Sequence, residues 1–404
     1  MSTVRTLTPV QRRRSLIAVL ASAFGVGLVM GLSMPLISLT LEARGWSTGA
    51  IGLNAAAFAT GMLLTGPFVP AIAARLGTLP TLWLGVALVA TALACFPLTE
   101  GAPAAAFALR VVLAIGTTLD WIVSETWINT LPEEKSRGRI IAIYATLWAG
   151  GIAAGPAVLI LIGTAGAGPF LFAAGLIAVA YLPVLAVRRT APRLGSRAGP
   201  RAALILLGLA PVGLLAGFLS GFGEGAMFSL LPVYGLAGGI DAQAAVLMTT
   251  VFALGGIALQ APIGWLADRM DRTRLLFGCV LLAVALALLM PAATDSLLWR
   301  WPGLFALGGA IIGFYTIGLI LIGQRFAGGD LAVANTAFIL MYTAGSVAGP
   351  ALGGAAMDLT GRHGLTGVLA IACALFLQVA WRLRHRESRP LPAATAAPAA
   401  EGAE

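Results

Sequence analysis

The chain has 404 residues, 59% of them hydrophobic and only 10% charged, with a formal net charge of +9. A soluble domain carries roughly a quarter charged residues to wet its surface, so this composition excludes a water-soluble enzyme or binding module. Uninterrupted apolar runs such as 275–290 also exclude a β-barrel, whose strands alternate.

One membrane crossing takes ~20 apolar residues, and runs bounded by Pro, Gly and charge predict about twelve transmembrane helices. In chain order they are 15–40, 48–73, 80–97, 103–128, 139–163 and 167–187, then 204–236, 240–266, 274–292, 301–324, 331–357 and 364–383. The fold class is therefore an all-α membrane protein of two pseudo-symmetric six-helix bundles, 15–187 and 204–384. A cytoplasmic N-terminus (1–14) precedes them, a polar, basic, Pro/Gly-punctuated linker (188–203) joins them, and an Ala/Pro-rich tail (385–404) follows, with a composition that predicts disorder. Arg12-Arg13-Arg14-Ser15-Leu16 has the look of a twin-arginine signal, but the apolar run behind it is too long, so it reads as a retained first span.

Basic residues orient the chain. Twenty-one Lys and Arg fall in segments on the side of the termini, three (Arg44, Arg300, Arg362) on the other, and Arg110 lies inside a helix. By the positive-inside rule both termini are cytoplasmic. The net positive charge then belongs to loops beside an anionic leaflet and not to a nucleic-acid site. Cys95, Cys279 and Cys373 sit in apolar runs and the two His are far apart, so neither a disulfide framework nor a metal site is indicated.

The halves repeat. Gly151-x3-Gly155-Pro156 in the fifth helix recurs as Gly345-x3-Gly349-Pro350 in the eleventh, 194 residues on, and Ala74-Arg75-x-Gly77 recurs at the same offset as Asp268-Arg269-x-Asp271. Small residues four apart let helix backbones touch, and an internal Pro lets a helix bend.

The run Gly264-Trp-Leu-Ala-Asp268-Arg269-Met-Asp271-Arg272-Thr-Arg274 resembles the loop signature G-x-x-x-D-R-x-G-R-R of the major facilitator superfamily, with Asp271 in place of the second Gly. In the first half only Arg75 and Gly77 survive; Pro70 and Ala74 replace the opening Gly and the Asp. Gly345-x3-Gly349-Pro350-x2-Gly353-Gly354 resembles an antiporter signature that the superfamily carries in helix 5, where this chain has Leu159-Ile160 instead of the final glycines. Arg110 with Gly116 resembles the helix 4 signature R-x-x-Q-G-x-G, with Leu113 and Ala114 replacing Gln and Gly. Ser124 to Asn129, Arg137-Gly138-Arg139, Tyr144 and Trp148 are similar to a bacterial branch of the superfamily. The resemblance implies the major facilitator fold, with a central cavity exposed alternately to either side. It also implies a cytoplasmic gate in which Asp268 meets the start of helix 5, near Arg139, while Arg269, Arg272 and Arg274 pair with Glu133 or Glu134. With Ala74 in place of an Asp, the first half keeps only Arg75 of a matching gate.

Charges within the bilayer cost several kcal/mol unless paired or solvated, and so point to function. They are Arg110, Asp120 and Glu125 in helix 4 and Glu224 in helix 7. At ~100° per residue, Glu125 lies about 60° round from Arg110 and Asp120 about 80° the other way, so the two acids do not share one partner. Glu125 reads either as a coupling acid, with Arg110 as a possible partner, or as an interfacial residue; Asp120 reads as a coupling acid or a structural one. Glu224, at mid-span between Gly223 and Gly225, is the leading proton-coupling candidate. Tyr144 and Trp148 share a helix face and either line the cavity or pack.

The function expected is secondary active transport of a small organic solute by proton-coupled efflux (antiport), with proton-coupled uptake or a transport-inactive membrane sensor as alternatives. Clustered catalytic groups are missing from the apolar runs, so an enzyme is not expected. No G-x-x-x-x-G-K-[ST] occurs and the sole lysine is Lys135, so ATP is not the energy source. The expected energy source is a proton gradient, with no cofactor or metal. The expected partners are a solute and the lipid bilayer, for a monomer in a bacterial inner membrane.

Overall fold

A computed structural model describes residues 8–132, 134–187, 210–326 and 328–387 of the chain. The linker 188–203, the expected start of the seventh helix (204–209), Glu133 and the tail beyond residue 387 lie outside them, as do the side chains of residues 134–138.

Among the described residues all regular structure is helical, and twelve helices are long and apolar enough to cross a membrane. They are α1 (Val10–Ala43), α2 (Thr48–Leu76), α3 (Thr78–Thr99), α4 (Pro103–Thr130), α5 (Arg139–Ile162), α6 (Gly168–Ala186), α7 (Pro211–Ala237), α8 (Ala242–Ala267), α9 (Arg272–Asp295), α10 (Leu297–Arg325), α11 (Val333–Thr360) and α12 (His363–Leu383). The first helix starts about two turns earlier than expected, because Thr8 and Gln11 form a reciprocal capping box ahead of Pro9. Side chains also set other starts: Ser47 accepts from the Ala50 amide, Asp241 from Ala244 and Asp271 from Arg274. Asp271 thus caps α9 where the resembled signature has a glycine.

The repeat is visible atom by atom. A Cβ on Gly27 would collide with the Trp148 carbonyl and one on Gly151 with the Phe24 carbonyl, fixing α1 against α5. Exactly the same four positions recur 194 residues on: a Cβ on Gly221 would meet the Tyr342 carbonyl, and one on Gly345 the Phe218 carbonyl, fixing α7 against α11. In lipid, where apolar side chains gain little by leaving the solvent, such backbone contact supplies the packing energy.

Helices α2 with α11, α5 with α8 and α1 with α7 join the halves. Side-chain hydrogen bonds between the halves fall on the face opposite the termini. There Thr48 Oγ1 lies 2.6 Å from Asp358 Oδ1 and 3.0 Å from the Gly354 carbonyl, and the Gly49 amide donates to Asp358 Oδ2 at 3.0 Å. Asp358 of α11 therefore caps the start of α2, where the amides are unpaired and the helix dipole favours an anion. These helices carry exposed apolar residues at both ends, Leu53 and Leu64 of α2, Ile143 and Leu161 of α5, and Ile339 and Leu359 of α11 among them, as expected of surfaces that face lipid. The Asp358–Thr48 contact thus seals the face opposite the termini.

The three arginines on the sealed face all hold local partners. Arg44 donates to Thr99 Oγ1 and the Pro97 carbonyl, Arg300 to the Thr294 carbonyl, and Arg362 pairs with Asp295 at 2.9 Å.

Candidate functional site

Glu224 stands at the midpoint of α7. One turn before it on the same face, Ser220 Oγ lies 2.8 Å from Glu224 Oε1 and 3.1 Å from the Ile311 carbonyl of α10, and from α11 the Tyr342 hydroxyl donates to Glu224 Oε2 at 3.0 Å. The acid thus joins three helices of the second half. Tyr342 packs edge-on against Tyr315 of α10 (5.4 Å between centroids), and Tyr315 packs edge-on against Phe338 (5.1 Å).

The first half has a matching arrangement. Trp121 of α4 stacks on Trp148 of α5 at 6.3 Å, with Tyr144 one turn before Trp148. Trp121, Tyr144 and Trp148 are each 194 residues ahead of Tyr315, Phe338 and Tyr342, so each half offers the same aromatic triad. Glu125 follows Trp121 by four residues and so shares its face of α4; it is exposed and within electrostatic reach of both Tyr144 and Tyr315. Tyr315 is thus within electrostatic reach of two acids from opposite halves, Glu125 and Glu224.

The remaining intramembrane charges point elsewhere. Arg110 is only 2% exposed, with its guanidinium 5.0 Å from the centre of the Phe58 ring of α2 and its Nε and Nη1 lacking a hydrogen-bond partner. A pairing of Arg110 with Glu125 is ruled out by rise: fifteen residues along one helix separate them by about 22 Å, a distance that angular position alone conceals. Asp120, 1% exposed, faces the Tyr181 hydroxyl of α6, yet neither of its oxygens meets hydrogen-bond geometry; Tyr181 instead shares a 3.3 Å hydrogen bond with Ser124. Asp120 and Glu125 do diverge, although Tyr144, itself buried, feels both.

At the terminal face the expected gate residues are separate. Asp268 ends α8 exposed, its carboxylate without a hydrogen bond or ion pair to a described residue, and a Cβ on Gly264 would meet open space. Arg269 lies over the Trp265 ring at 3.8 Å, Arg272 donates to the Ala267 carbonyl, and Arg274 and Arg75 are exposed. The expected acidic partners Glu133 and Glu134 fall outside the described side chains. Of the hinge residues, Gly151 and Gly155 meet α1 and Gly345 and Gly349 meet α7, while Pro156 and Pro350 lie within continuous helices; the Pro350 carbonyl is what a Cβ on Gly52 of α2 would strike.

Sequence reasoning missed Ser220, Tyr315, Tyr342, Trp121 and the Asp358–Thr48 contact. Applying the 194-residue offset to the aromatic residues would have found the triads. Nothing local marks Asp358, whose partner lies in the other half.

The Major Facilitator Superfamily model matches residues 16–246 and 213–401. An uncharacterized MFS-type transporter of Bacillus subtilis, YfkF, is 28% identical over 81% of this chain and 85% of its own length. The uncharacterized MFS-type transporter YcaD of Escherichia coli is 25% identical over 94% and 98%. Among solved structures, a mutant of the nucleoside transporter NupG superposes with a TM-score of 0.74 at 13% identity, covering 92% of this chain and 99% of its own. An inward-facing, unoccupied bacterial homologue of the lysosomal transporter Spinster gives 0.72 at 15%, covering 95% and 98%. At these identities the superpositions speak for the fold alone. The chain belongs to the major facilitator superfamily and is a multi-pass membrane transporter, not an enzyme.

Proposed function

We propose that the protein exports a small organic solute from a bacterial cytoplasm in exchange for protons, as a monomer in the inner membrane with both termini cytoplasmic, and that Glu224 carries the proton. On this reading the proton gradient is the energy source and no cofactor is needed.

The observation that carries this reading is the position of Ser220 between Glu224 and the Ile311 carbonyl. Its one hydroxyl proton serves one acceptor at a time. With Glu224 ionised, Ser220 donates to the carboxylate. With Glu224 protonated, the acid donates to Ser220, which then donates to Ile311 and ties α7 to α10. Both protonation states leave the buried groups bonded, and they differ in whether α7 and α10 are linked. A proton on Glu224 thereby acts on the packing of two helices that border the space between the halves.

Antiport is favoured by the likeness of the α11 glycine run, Gly345-x3-Gly349-Pro350-x2-Gly353-Gly354, to the antiporter signature. Gly345 and Gly349 hold α7, the helix bearing Glu224, while Gly354 of the same run holds α2 of the other half. A shift in α7 is thus passed to the sealed interface through one helix.

The test uses proteoliposomes, a panel of compounds and an imposed pH difference. Antiport accumulates a solute when the lumen is acidic, and Glu224→Gln abolishes that accumulation while sparing solute exchange. Accumulation only with an acidic exterior would make the protein a symporter. Undiminished accumulation by Glu224→Gln would remove Glu224 from coupling.

A further inference from the structure

A groove of about 390 Å³ lies between α9 and α12, which pack on each other apart from the helix pairs that join the halves. We infer that an anionic phospholipid binds there, with its phosphate at Arg274 and Arg382 and one acyl chain along the apolar walls. The site is separate from the one around Glu224, and only the choice of leaflet rests on the orientation proposed above.

Three observations lead there. First, the groove has the length and surface of an acyl-chain slot. Half-buried Phe277 and Leu377 line it with exposed Leu281 and Trp381, and the Phe277 and Trp381 rings lie 6.2 Å apart across the two helices. Leu281 comes nine residues after the first residue of α9, Arg272, a rise of about 13 Å. One leaflet of a ~30 Å hydrocarbon core has nearly that depth. The opening belongs to the second half alone. At the positions 194 residues earlier, Trp83, the counterpart of Phe277, packs edge-on against Tyr181, and Val184 and Val187, the counterparts of Gln378 and Trp381, are buried.

Second, the mouth of the groove is basic. Arg382 lines it, and Arg274 precedes Phe277 by three residues and Leu281 by seven, so these three share a face of α9. Both arginines are exposed, and neither guanidinium has a hydrogen bond or ion pair to a described residue. Asp271, the acid that precedes them on α9, uses a carboxylate oxygen to cap the Arg274 amide. On the proposed orientation the mouth opens on the cytoplasmic leaflet, whose anionic headgroups suit basic pockets between spans.

Third, Gln378 carries an amide into the groove one turn before Arg382, exposed and without a hydrogen-bond partner among the described residues. An unpaired amide is costly in hydrocarbon, and the ester oxygens just below a phosphate offer it acceptors at that depth. The groups thus follow the layout of a phospholipid: guanidinium ions at the phosphate, an amide at the esters, apolar side chains along the acyl chain.

The test is native mass spectrometry of the delipidated, detergent-purified full chain, titrated with dioleoylphosphatidylglycerol or dioleoylphosphatidylcholine, which share acyl chains and differ in net charge. The expected result is one saturable phosphatidylglycerol site, several-fold tighter than any for phosphatidylcholine. Arg274→Gln with Arg382→Gln should weaken phosphatidylglycerol roughly ten-fold or more, the scale of two interfacial charges; Arg274→Lys with Arg382→Lys should keep most of the binding. Leu281→Trp, which fills the slot, should weaken it too. Arg13→Gln, at an exposed arginine of the same face on α1, should change nothing, and soluble glycerol 3-phosphate should not compete. Thermal melting identifies loss of fold, and the Lys pair and Leu281→Trp carry the test if the Gln pair unfolds. Equal binding of the two lipids, parental binding by the Gln pair or by Leu281→Trp, or an equal loss in Arg13→Gln overturns the inference. Competition by glycerol 3-phosphate would make this a site for free anions and overturns the lipid assignment. None of these readouts involves transport, so failure here leaves the coupling role of Glu224 standing, and the reverse.

Discussion

Glu224 and Met30 occupy equivalent positions in the two halves, 194 residues apart. The Met30 sulfur accepts from Thr117 at 3.7 Å, and Ile311, the equivalent of Thr117, gives its carbonyl to Ser220. Duplication has kept the helix contacts and changed the chemistry: one half places a thioether against its fourth helix, the other a carboxylate–serine pair. A membrane carrier that moves one proton per cycle needs the acid in one half only, and the apolar copy costs no desolvation.

This asymmetry makes a transplant informative. Moving the acid, with Glu224→Met and Met30→Glu together, should not restore pH-driven accumulation. The transplanted acid would meet Val26 in the place of Ser220 and Trp148 in the place of Tyr342, so it lacks those two hydroxyl donors and keeps only that of Thr117 on α4. Ser220→Ala alone should slow coupled accumulation several-fold and leave exchange near normal, because it removes one hydrogen bond worth about 1 kcal/mol and the proton-dependent link to Ile311. Accumulation and exchange rates in proteoliposomes separate these outcomes. Full coupling by the transplant would show that position alone matters and the hydroxyl donors do not.

The backbone contacts predict a contrast among glycines. Gly155→Leu and Gly349→Leu place a side chain against the backbones of α1 and α7, at the Leu28 and Phe222 carbonyls. Overpacking of this kind costs ~1–3 kcal/mol, and here it must part the helix pair. Both variants should insert in the membrane, melt earlier and fail to transport. Gly278→Leu and Gly323→Leu, where a Cβ meets nothing within 4 Å, should melt like the parent. Equal melting of all four would reduce the glycine contacts to incidental composition.

Much of this fold was legible because lipid simplifies the reading: apolar runs give the spans, and one offset gives the pairing of halves. Glu224 stood out because an acid between two glycines in an apolar run has few structural explanations. Arg110 and Glu125 misled as a pair because helical phase was weighed without rise. The Asp358 contact was illegible because its partner amides at Thr48 and Gly49 lie some three hundred residues away, and a helix start looks the same whether a water or a distant carboxylate caps it.

Orientation is open to a direct chemical test. The basic residues crowd at the face bearing the termini, so a cysteine at Gly195 in the linker should be shielded from impermeant thiol reagents in intact cells. A cysteine at Gly166, in the α5–α6 turn where a Cβ meets open space, should react. The reverse pattern would invert the molecule and, with it, the direction of transport.

Two aspartates at opposite faces yield the last prediction, a pair of effects with opposite sign. Asp358 is engaged here, capping α2 and sealing its face; Asp268 is exposed, at the face of the termini. If Asp268 closes the terminal face in the other conformation, each aspartate stabilises the state the other opposes. Asp358→Asn keeps the shape and loses the charge that favours the α2 start; because the site is largely exposed, the loss should be about 0.5–1.5 kcal/mol, a several-fold shift towards a state open at the sealed face. Asp268→Asn should shift the population the other way. Spin labels at Ala104 and Leu298, exposed and equivalent positions at the sealed-face ends of α4 and α10, report this as a distance distribution: the long-distance fraction grows in Asp358→Asn and shrinks in Asp268→Asn. The aspartates lie at opposite faces and share no partner, so the double variant should return close to the parent. Shifts of the same sign, or a double variant no nearer the parent than either single one, would mean that the two residues do not act on one rocking equilibrium.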